Sequence, residues 1–204
     1  MNDDTILESV AGNPENQDCG AIITSGPRQV LIIADGAGGL SGGVEAANLA
    51  VKYIRERAEL LNGPASCVSI LQKMDQEIAQ NQDAGETTCA FTVVSDKQVF
   101  GASVGDSGVW VIGETGFKNL TENQSRKPLI GSGSARPVAF NQTRVCGEYL
   151  LLATDGLLKY APAERIISTC RKSVAETAVK NLIQLVRYPS GALPDDVTVI
   201  LTKL

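Results

Sequence analysis

Residues 30–39 read VLIIADGAGG, an unbroken apolar run that ends in one acidic residue and a glycine-rich segment. The apolar run is typical of a buried β-strand, and the glycines predict that this strand ends directly after Asp35. A second β-rich run covers residues 19–24, and the turn-forming sequence SGPR at 25–28 separates the two runs. The sequence therefore predicts a β-hairpin whose second strand carries a carboxylate at its end.

The rest of the chain alternates between helical and extended patterns. Helical spacing of apolar residues predicts helices at 43–61, 65–82, 162–170 and 174–186. Further strands are predicted at 88–94, 99–104, 109–112, 117–120, 138–146, 149–153 and 197–201, the first four as one antiparallel meander. A polar, glycine-rich loop is expected at 121–136. No linker or repeat divides the chain, so we expect a single domain over residues 1–204, of the α+β class with helix pairs segregated from antiparallel sheet.

The 204 residues include no histidine, which limits the chemistry of any active site. Without imidazole, the Ser-His-Asp and Cys-His nucleophile pairs and histidine-based zinc sites are excluded. The five cysteines are far apart in sequence, and with no histidine to activate a thiolate they are expected to be buried, reduced thiols. Catalysis must then depend on carboxylates, hydroxyls, backbone groups and metal ions.

Charge and hydropathy exclude several classes of partner. Eighteen basic and 23 acidic residues give a formal charge of -5, and no basic run suggests a nucleic-acid partner. The N-terminal sequence MNDDTILESV is acidic and polar, unlike a signal peptide, and no apolar run approaches the ~20 residues of a membrane span. We therefore expect a soluble, cytoplasmic monomer that binds neither nucleic acid nor membrane.

Acidic residues recur beside the predicted strands, and this pattern is the most informative about function. They are Asp18, Asp35, Asp106, Asp155 and Asp195. A carboxylate against an apolar strand is costly to bury unless it is paired or binds a metal, and Mg²⁺ and Mn²⁺ prefer such oxygen ligands. The glycine after Asp35 would let the Gly36 carbonyl join the ligands. Each Asp-Gly pair alone most often forms only a turn, so the inference depends on the combination.

These motifs resemble those of the metal-dependent protein phosphatases of the 2C type. The motifs are Asn16-Gln17-Asp18, Asp35-Gly36-x-Gly38-Gly39, Gly105-Asp106-Ser107, Thr154-Asp155-Gly156-Leu157 and Asp195-Asp196-Val197-Thr198, in the family's order from about residue 12 to the end. The resemblance implies a four-layer α-β-β-α sandwich, an antiparallel β-sandwich flanked by helix pairs. It also implies a phosphoprotein phosphatase that hydrolyses phosphoserine and phosphothreonine, with a phosphorylated protein as substrate.

The resemblance also implies a role for each carboxylate. Asp35 would bridge two Mn²⁺ or Mg²⁺ ions, with the carbonyl of Gly36 on one ion and Asp155 and Asp195 on the other. Asp18 would orient a metal-bound water. A metal-bridged hydroxide would attack phosphorus in line, while the ions offset charge on the phosphoryl oxygens.

The Gly-Asp-Ser motif and several departures from the family pattern leave points open. Asp106 would be an accessory ligand, so that the site holds two or three ions. Asn13 stands where family members usually carry an arginine for the substrate phosphate, and the candidates to replace it are Arg28, Arg126 and Arg136. Leu40 stands where a histidine is common, and the family's flap is reduced to about residues 123–138.

Two alternatives to an active phosphatase remain at this point. One is a catalytically weak domain that binds phosphoproteins as a regulatory module, and the other is an unrelated domain whose Asp-Gly pairs are only turns.

The last departure from the family pattern concerns the general acid that protonates the leaving group. Some relatives carry a histidine, as the acid for the leaving alkoxide, at the position of Ala37, where this chain has nothing ionisable. A bound water or the substrate's own acidity must then protonate the leaving group. We therefore expect aryl phosphates to be cleaved much better than serine or threonine phosphates.

Overall fold

Two five-stranded antiparallel sheets form the centre of the structure, a computed structural model that describes residues 5–37 and 42–204. The strands are β1 (Ile6–Val10), β2 (Asp18–Ser25), β3 (Arg28–Asp35), β4 (Cys89–Val94), β5 (Gln98–Val104), β6 (Gly108–Ile112), β7 (Phe117–Asn119), β8 (Val138–Thr143), β9 (Tyr149–Ala153) and β10 (Val197–Lys203). Sheet A has the order β1-β10-β9-β6-β7, and sheet B has the order β2-β3-β4-β5-β8. Gly38, Gly39 and Leu40, which the sequence analysis singled out, lie outside the described residues.

Helices cover the outer face of each sheet. They are α1 (Gly43–Glu56), α2 (Pro64–Ile78), α3 (Asp155–Leu158), α4 (Ala163–Lys172) and α5 (Ala175–Val186). The pair α1 and α2 packs on sheet B, and α4 and α5 pack on sheet A. The predicted α+β class and the four-layer α-β-β-α sandwich are therefore confirmed. Within the described part of the chain, no helix has the length and apolar character needed to cross a bilayer.

The environment of strand β3 explains why residues 30–34 are all apolar. Ile32 and Ala34 face α1 and α2, whereas Leu31 and Ile33 face sheet A across the middle of the sandwich. All four are fully buried, as expected for a strand covered on both faces. Burial of each large side chain contributes about 1.5–3 kcal/mol, so β3 is a rigid support for the carboxylate at its end.

The predicted meander over residues 88–120 is wrong in one respect. Strands β4 and β5 pair in sheet B, but β6 and β7 belong to sheet A, so the turn at 105–107 crosses between the sheets. Alternation of apolar and polar residues predicts strands but does not say which sheet each one joins. This crossing places Asp106 at the edge of the sandwich.

Two elements, β1 and α3, were not predicted, and the first two helices are shorter than predicted. Strand β1 adds to β10 at the edge of sheet A, and α3 begins at Asp155 and lasts one turn. Both are short and carry little periodic signal. Helix α1 ends at Glu56 rather than at residue 61, and a short 3-10 helix, Ala58–Leu60, follows it. Helix α2 begins at Pro64 and ends at Ile78, four residues before the predicted end at 82.

Candidate active site

Three carboxylates converge where strand ends from the two sheets meet. One carboxylate oxygen from each of Asp35, Asp106 and Asp155 lies within 4.8 Å of the others. Asp35 ends β3, Asp106 lies in the turn between the sheets, and Asp155 follows β9. They line an open cavity of about 920 Å³, and Asp195, just before β10, lines it too. Fold topology thus brings together residues that are up to 160 positions apart in the chain.

Asp18 lies beneath this cluster and is nearly inaccessible to solvent. It pairs in register with Asp35 across β2 and β3, and only 9% of its surface is exposed. The hydroxyl of Thr154 donates a 2.8 Å hydrogen bond to Asp18 Oδ2 and accepts one from the backbone N–H of Thr198. Thr154, which the sequence analysis quoted only as part of a motif, therefore fixes one oxygen of Asp18.

Burial and mutual repulsion perturb the protonation of these groups. Desolvation, followed by repulsion from Asp18 and the other carboxylates, raises the pKa of Asp35 to about 9. Desolvation likewise raises the pKa of Asp18 to about 7, although the Thr154 and Thr198 hydrogen bonds oppose the shift. The pKa of Asp155 is also raised, mainly by burial and then by Asp106 and Asp195. The cluster is therefore electrostatically strained whenever all its members are charged.

Glycines beside two of the carboxylates permit close contacts between backbone segments. A Cβ on Gly36 would collide with the carbonyl of Gly43 at the start of α1, and a Cβ on Gly156 would collide with the carbonyl of Asp196. Both closest contacts are with protein backbone. The glycine after Asp155 thus holds the Thr154–Gly156 segment against the segment that carries Asp195.

Asp196, the neighbour of Asp195, organises one wall of the cavity. Its Oδ1 accepts hydrogen bonds from the backbone N–H groups of Gly12 and Asn13, at 2.8 and 3.0 Å, and its Oδ2 accepts one from Gln17 N–H at 2.9 Å. Buried carboxylates with several such donors usually hold a loop in place. The role of Asp196 was not predictable from the sequence, because a second acidic residue in a motif gives no sign of pairing with backbone about 180 residues away.

The donor set fits a hard divalent cation. The Asp35 carboxylate accepts no hydrogen bond and forms no ion pair with any residue that the structure describes. Among the described residues, two exposed cations form ion pairs with the cluster: Arg126 contacts Asp106 at 2.6 Å, and Lys159 lies 3.9 Å from Asp155. Clustered carboxylates with so little compensation are what Mg²⁺ or Mn²⁺ would stabilise.

The three arginines considered for the substrate phosphate lie in different places. Arg28 is remote from the cavity, where it donates to the Leu61 carbonyl and lies 3.6 Å from Glu59. Arg136 is exposed and is not among the described residues that line the cavity. Arg126 does line it.

The thiols are not part of this site. All five cysteines are free, and Cys67, Cys89 and Cys170 are buried, so burial raises the pKa of each of these three thiols. Cys19 is half-buried, and the expectation of burial is wrong for Cys146, which is exposed in the turn after β8.

Comparison with known proteins gives a family and a fold. The chain matches the family described as protein phosphatase 2C over residues 9–185. No curated protein matches it significantly. Three similar solved structures are a mutant of a bacterial serine phosphatase (25% identity, TM-score 0.83, 98% of this chain and 97% of that chain), Stp1 from Staphylococcus aureus (22%, 0.81, 98% and 94%), and the catalytic domain of PstP with two manganese ions (19%, 0.82, 98% and 96%).

The family match covers most of the chain, and the likeness of fold covers nearly all of it. The resemblance inferred from the motifs is confirmed, and with it the predicted class of enzyme and its need for Mn²⁺ or Mg²⁺. Combined with the cavity of carboxylates, these findings show that the chain belongs to the protein phosphatase 2C family of metal-dependent serine/threonine phosphatases.

Proposed function

We propose that this cavity hydrolyses phosphoserine and phosphothreonine in a protein substrate, with two Mn²⁺ or Mg²⁺ ions held by its acidic residues. Asp35 would contact both ions, Gly36 would lend its carbonyl to one, and Asp155 and Asp195 would hold the other. The observation that carries the proposal is the approach of the Asp35, Asp106 and Asp155 oxygens to within 4.8 Å. When bound, the ions supply an activated water as nucleophile and offset charge on the phosphoryl oxygens.

The chain's own residues would orient the reactants. Asp18 would accept a hydrogen bond from the attacking water, and its orientation is supported by the Thr154 hydroxyl on Oδ2. Asp106 would be an accessory ligand for a third ion through Oδ1, which accepts no hydrogen bond from a described residue, while Oδ2 accepts from Arg126. The open cavity leaves room for a phosphorylated side chain above these groups.

The setting of the enzyme is also proposed. Residues 1–204 would act as one domain, a view supported by the pairing of β1 with β10 near opposite ends of the chain. The formal charge of -5 and the lack of a basic run favour a monomer that binds neither nucleic acid nor membrane. We place it in the cytoplasm of a bacterium, in a signalling switch that acts on a dedicated phosphoprotein.

Hydrolysis assays test the proposal. The wild-type protein with Mn²⁺ should release phosphate from p-nitrophenyl phosphate and from a phosphothreonine peptide, and chelation should abolish this. Asp35→Asn and Asp155→Asn should each lower kcat by at least about 100-fold, because each removes a charged ligand. Asp96→Asn, in the exposed turn between β4 and β5, is the matched control and should leave kcat unchanged.

Two other outcomes contradict the proposal in different ways. A folded protein that binds Mn²⁺ but hydrolyses neither substrate would favour a phosphoprotein-binding regulatory module. Calorimetry that shows no Mn²⁺ binding at all would reject the metal site itself.

A further inference from the structure

Arg126 is held over the carboxylate cluster by a single partner. Its Nε donates a 2.8 Å hydrogen bond to Asp106 Oδ2, and its Nη2 lies 2.6 Å from the same oxygen. The side chain is otherwise 76% exposed and faces the cavity. Asp106 thus restrains one edge of the guanidinium while the rest of the group remains open to solvent.

The remaining donors of Arg126 are available to a ligand. A guanidinium has five N–H donors, and no other described residue accepts a hydrogen bond from this one. Of the described residues that line the cavity, Arg126 and the adjacent Lys127 are the cationic ones. Asn13, which also lines the cavity, is uncharged, and its Nδ2 donates to Asp195 Oδ1 at 3.2 Å.

We propose that Arg126 binds the phosphate of the substrate, with Asp106 as its positioning residue. The inference rests on the proposed function and names the group that recognises the substrate at the same site. A planar guanidinium can donate two parallel hydrogen bonds to phosphate, which a lysine ammonium cannot do. The arginine therefore comes from the loop after β7, and the N-terminal segment, which has Asn13 in place of arginine, does not provide it.

Binding of a phosphonate peptide tests this role without turnover. The probe is a fluorescent peptide with a non-hydrolysable phosphonate analogue of phosphoserine, titrated by anisotropy with Mg²⁺-loaded protein. Arg126→Ala should raise its Kd about 10-fold or more, which corresponds to about 1.4 kcal/mol. Arg136→Ala removes the same charge outside the cavity and should change Kd less than twofold. Binding of the same peptide with unmodified serine should be equally weak in all three proteins.

Steady-state kinetics separate recognition from chemistry. Arg126→Ala should raise KM for a phosphothreonine peptide about 10-fold with a smaller change in kcat, since the metal ligands remain. Arg126→Lys should give an intermediate KM, because lysine keeps the positive charge but cannot donate two parallel hydrogen bonds to the phosphate. A fall in kcat alone, with KM and the phosphonate Kd unchanged, would overturn the proposal.

Mg²⁺ affinity is measured as a control, because Asp106 contacts Arg126 and is also a proposed metal ligand. Removal of a cation from Asp106 should leave Mg²⁺ affinity unchanged or higher, so weaker phosphonate binding at saturating Mg²⁺ would reflect the phosphate alone. The proposal is rejected if Arg126→Ala and Arg136→Ala weaken phosphonate binding equally, or if the Arg126→Ala defect disappears at higher Mg²⁺. A wild-type protein that binds the phosphonate but hydrolyses nothing would reject the proposed function and leave this inference intact.

Discussion

At the scale of single residues, the site combines strong electrostatic strain with an absent acid. The pKa of Asp35 is raised by burial and by its acidic neighbours, as expected for carboxylates clustered at a cation-binding site. Ala37 lines the cavity, with its backbone N–H donating to the Glu86 carbonyl, and offers no proton to a leaving group. With no acid at this position, we expect water or the acidity of the leaving group to supply the proton.

The lack of a general acid at position 37 predicts that kcat/KM depends strongly on the acidity of the leaving group. A positioned general acid contributes about 10²–10⁴-fold, so kcat/KM for p-nitrophenyl phosphate should exceed that for a phosphothreonine peptide by about 100-fold. Ala37→His should narrow the ratio by accelerating the peptide reaction selectively. Equal rates on both substrates in the wild-type protein would show that another group supplies the proton.

At the scale of secondary-structure elements, rigid strand ends position the site, and hydrogen bonds from loops complete it. The apolar runs before Asp35 and Asp155 made both carboxylates predictable, since such strands must be buried. The sequence could not reveal that the turn at 105–107 crosses between sheets, nor that Asp196 holds the loop at 12–17. These contacts join segments far apart in sequence, and local patterns carry no information about them.

Gly156 offers a test of how closely two of these segments must pack. A Cβ at this position would overlap the Asp196 carbonyl, so Gly156→Ala should separate Asp155 from Asp195. We expect at least about 10-fold weaker Mn²⁺ binding and a loss of about 2 kcal/mol in the free energy of unfolding. Gly116→Ala is the control, because a Cβ there meets no atom within 4 Å. Equal behaviour of the two variants in calorimetry and urea unfolding would contradict this packing argument.

Asp75 connects α2 to the loop at residues 131–135. It is 1% exposed, and its carboxylate accepts hydrogen bonds from the backbone N–H groups of Gly131, Gly133 and Ala135 at 2.8 to 3.1 Å. Asp75→Ala leaves three donors without this acceptor and should cost about 2–4 kcal/mol in urea unfolding. A loss no greater than that of the exposed Asp96→Ala would mean that water replaces these bonds.

At the scale of the whole molecule, an α-β-β-α sandwich gathers acidic residues at one edge of a chain that is already negative overall. The α+β class was predictable from the helical and extended patterns, and the four layers were implied by the resemblance of the motifs to the family. The division of strands between sheets was not predictable, because either sheet can bury the same apolar alternation. The sandwich therefore stabilises a charge cluster that is unfavourable by itself.

The unfavourable burial of these carboxylates predicts that the stability of the metal-free protein falls as pH increases. The pKa of Asp35 rises from an ordinary value of 3.8 to about 9 on folding, so between these values the native state binds more protons than the unfolded state. The free energy of unfolding should therefore fall as pH increases through this window. With chelator present, Tm should be several degrees lower at pH 8.5 than at pH 6, and Asp35→Asn should flatten the slope. An unchanged slope in Asp35→Asn would contradict the assignment.

Anomalous diffraction from a crystal soaked in Mn²⁺ is the most direct test of the metal site. The account predicts manganese peaks in the cavity, each within about 2.5 Å of a carboxylate oxygen, with Asp35 contacting two ions and Asp155 and Asp195 sharing one of them. A map at saturating Mn²⁺ with no peak beside Asp35, or with manganese only elsewhere on the surface, would contradict it.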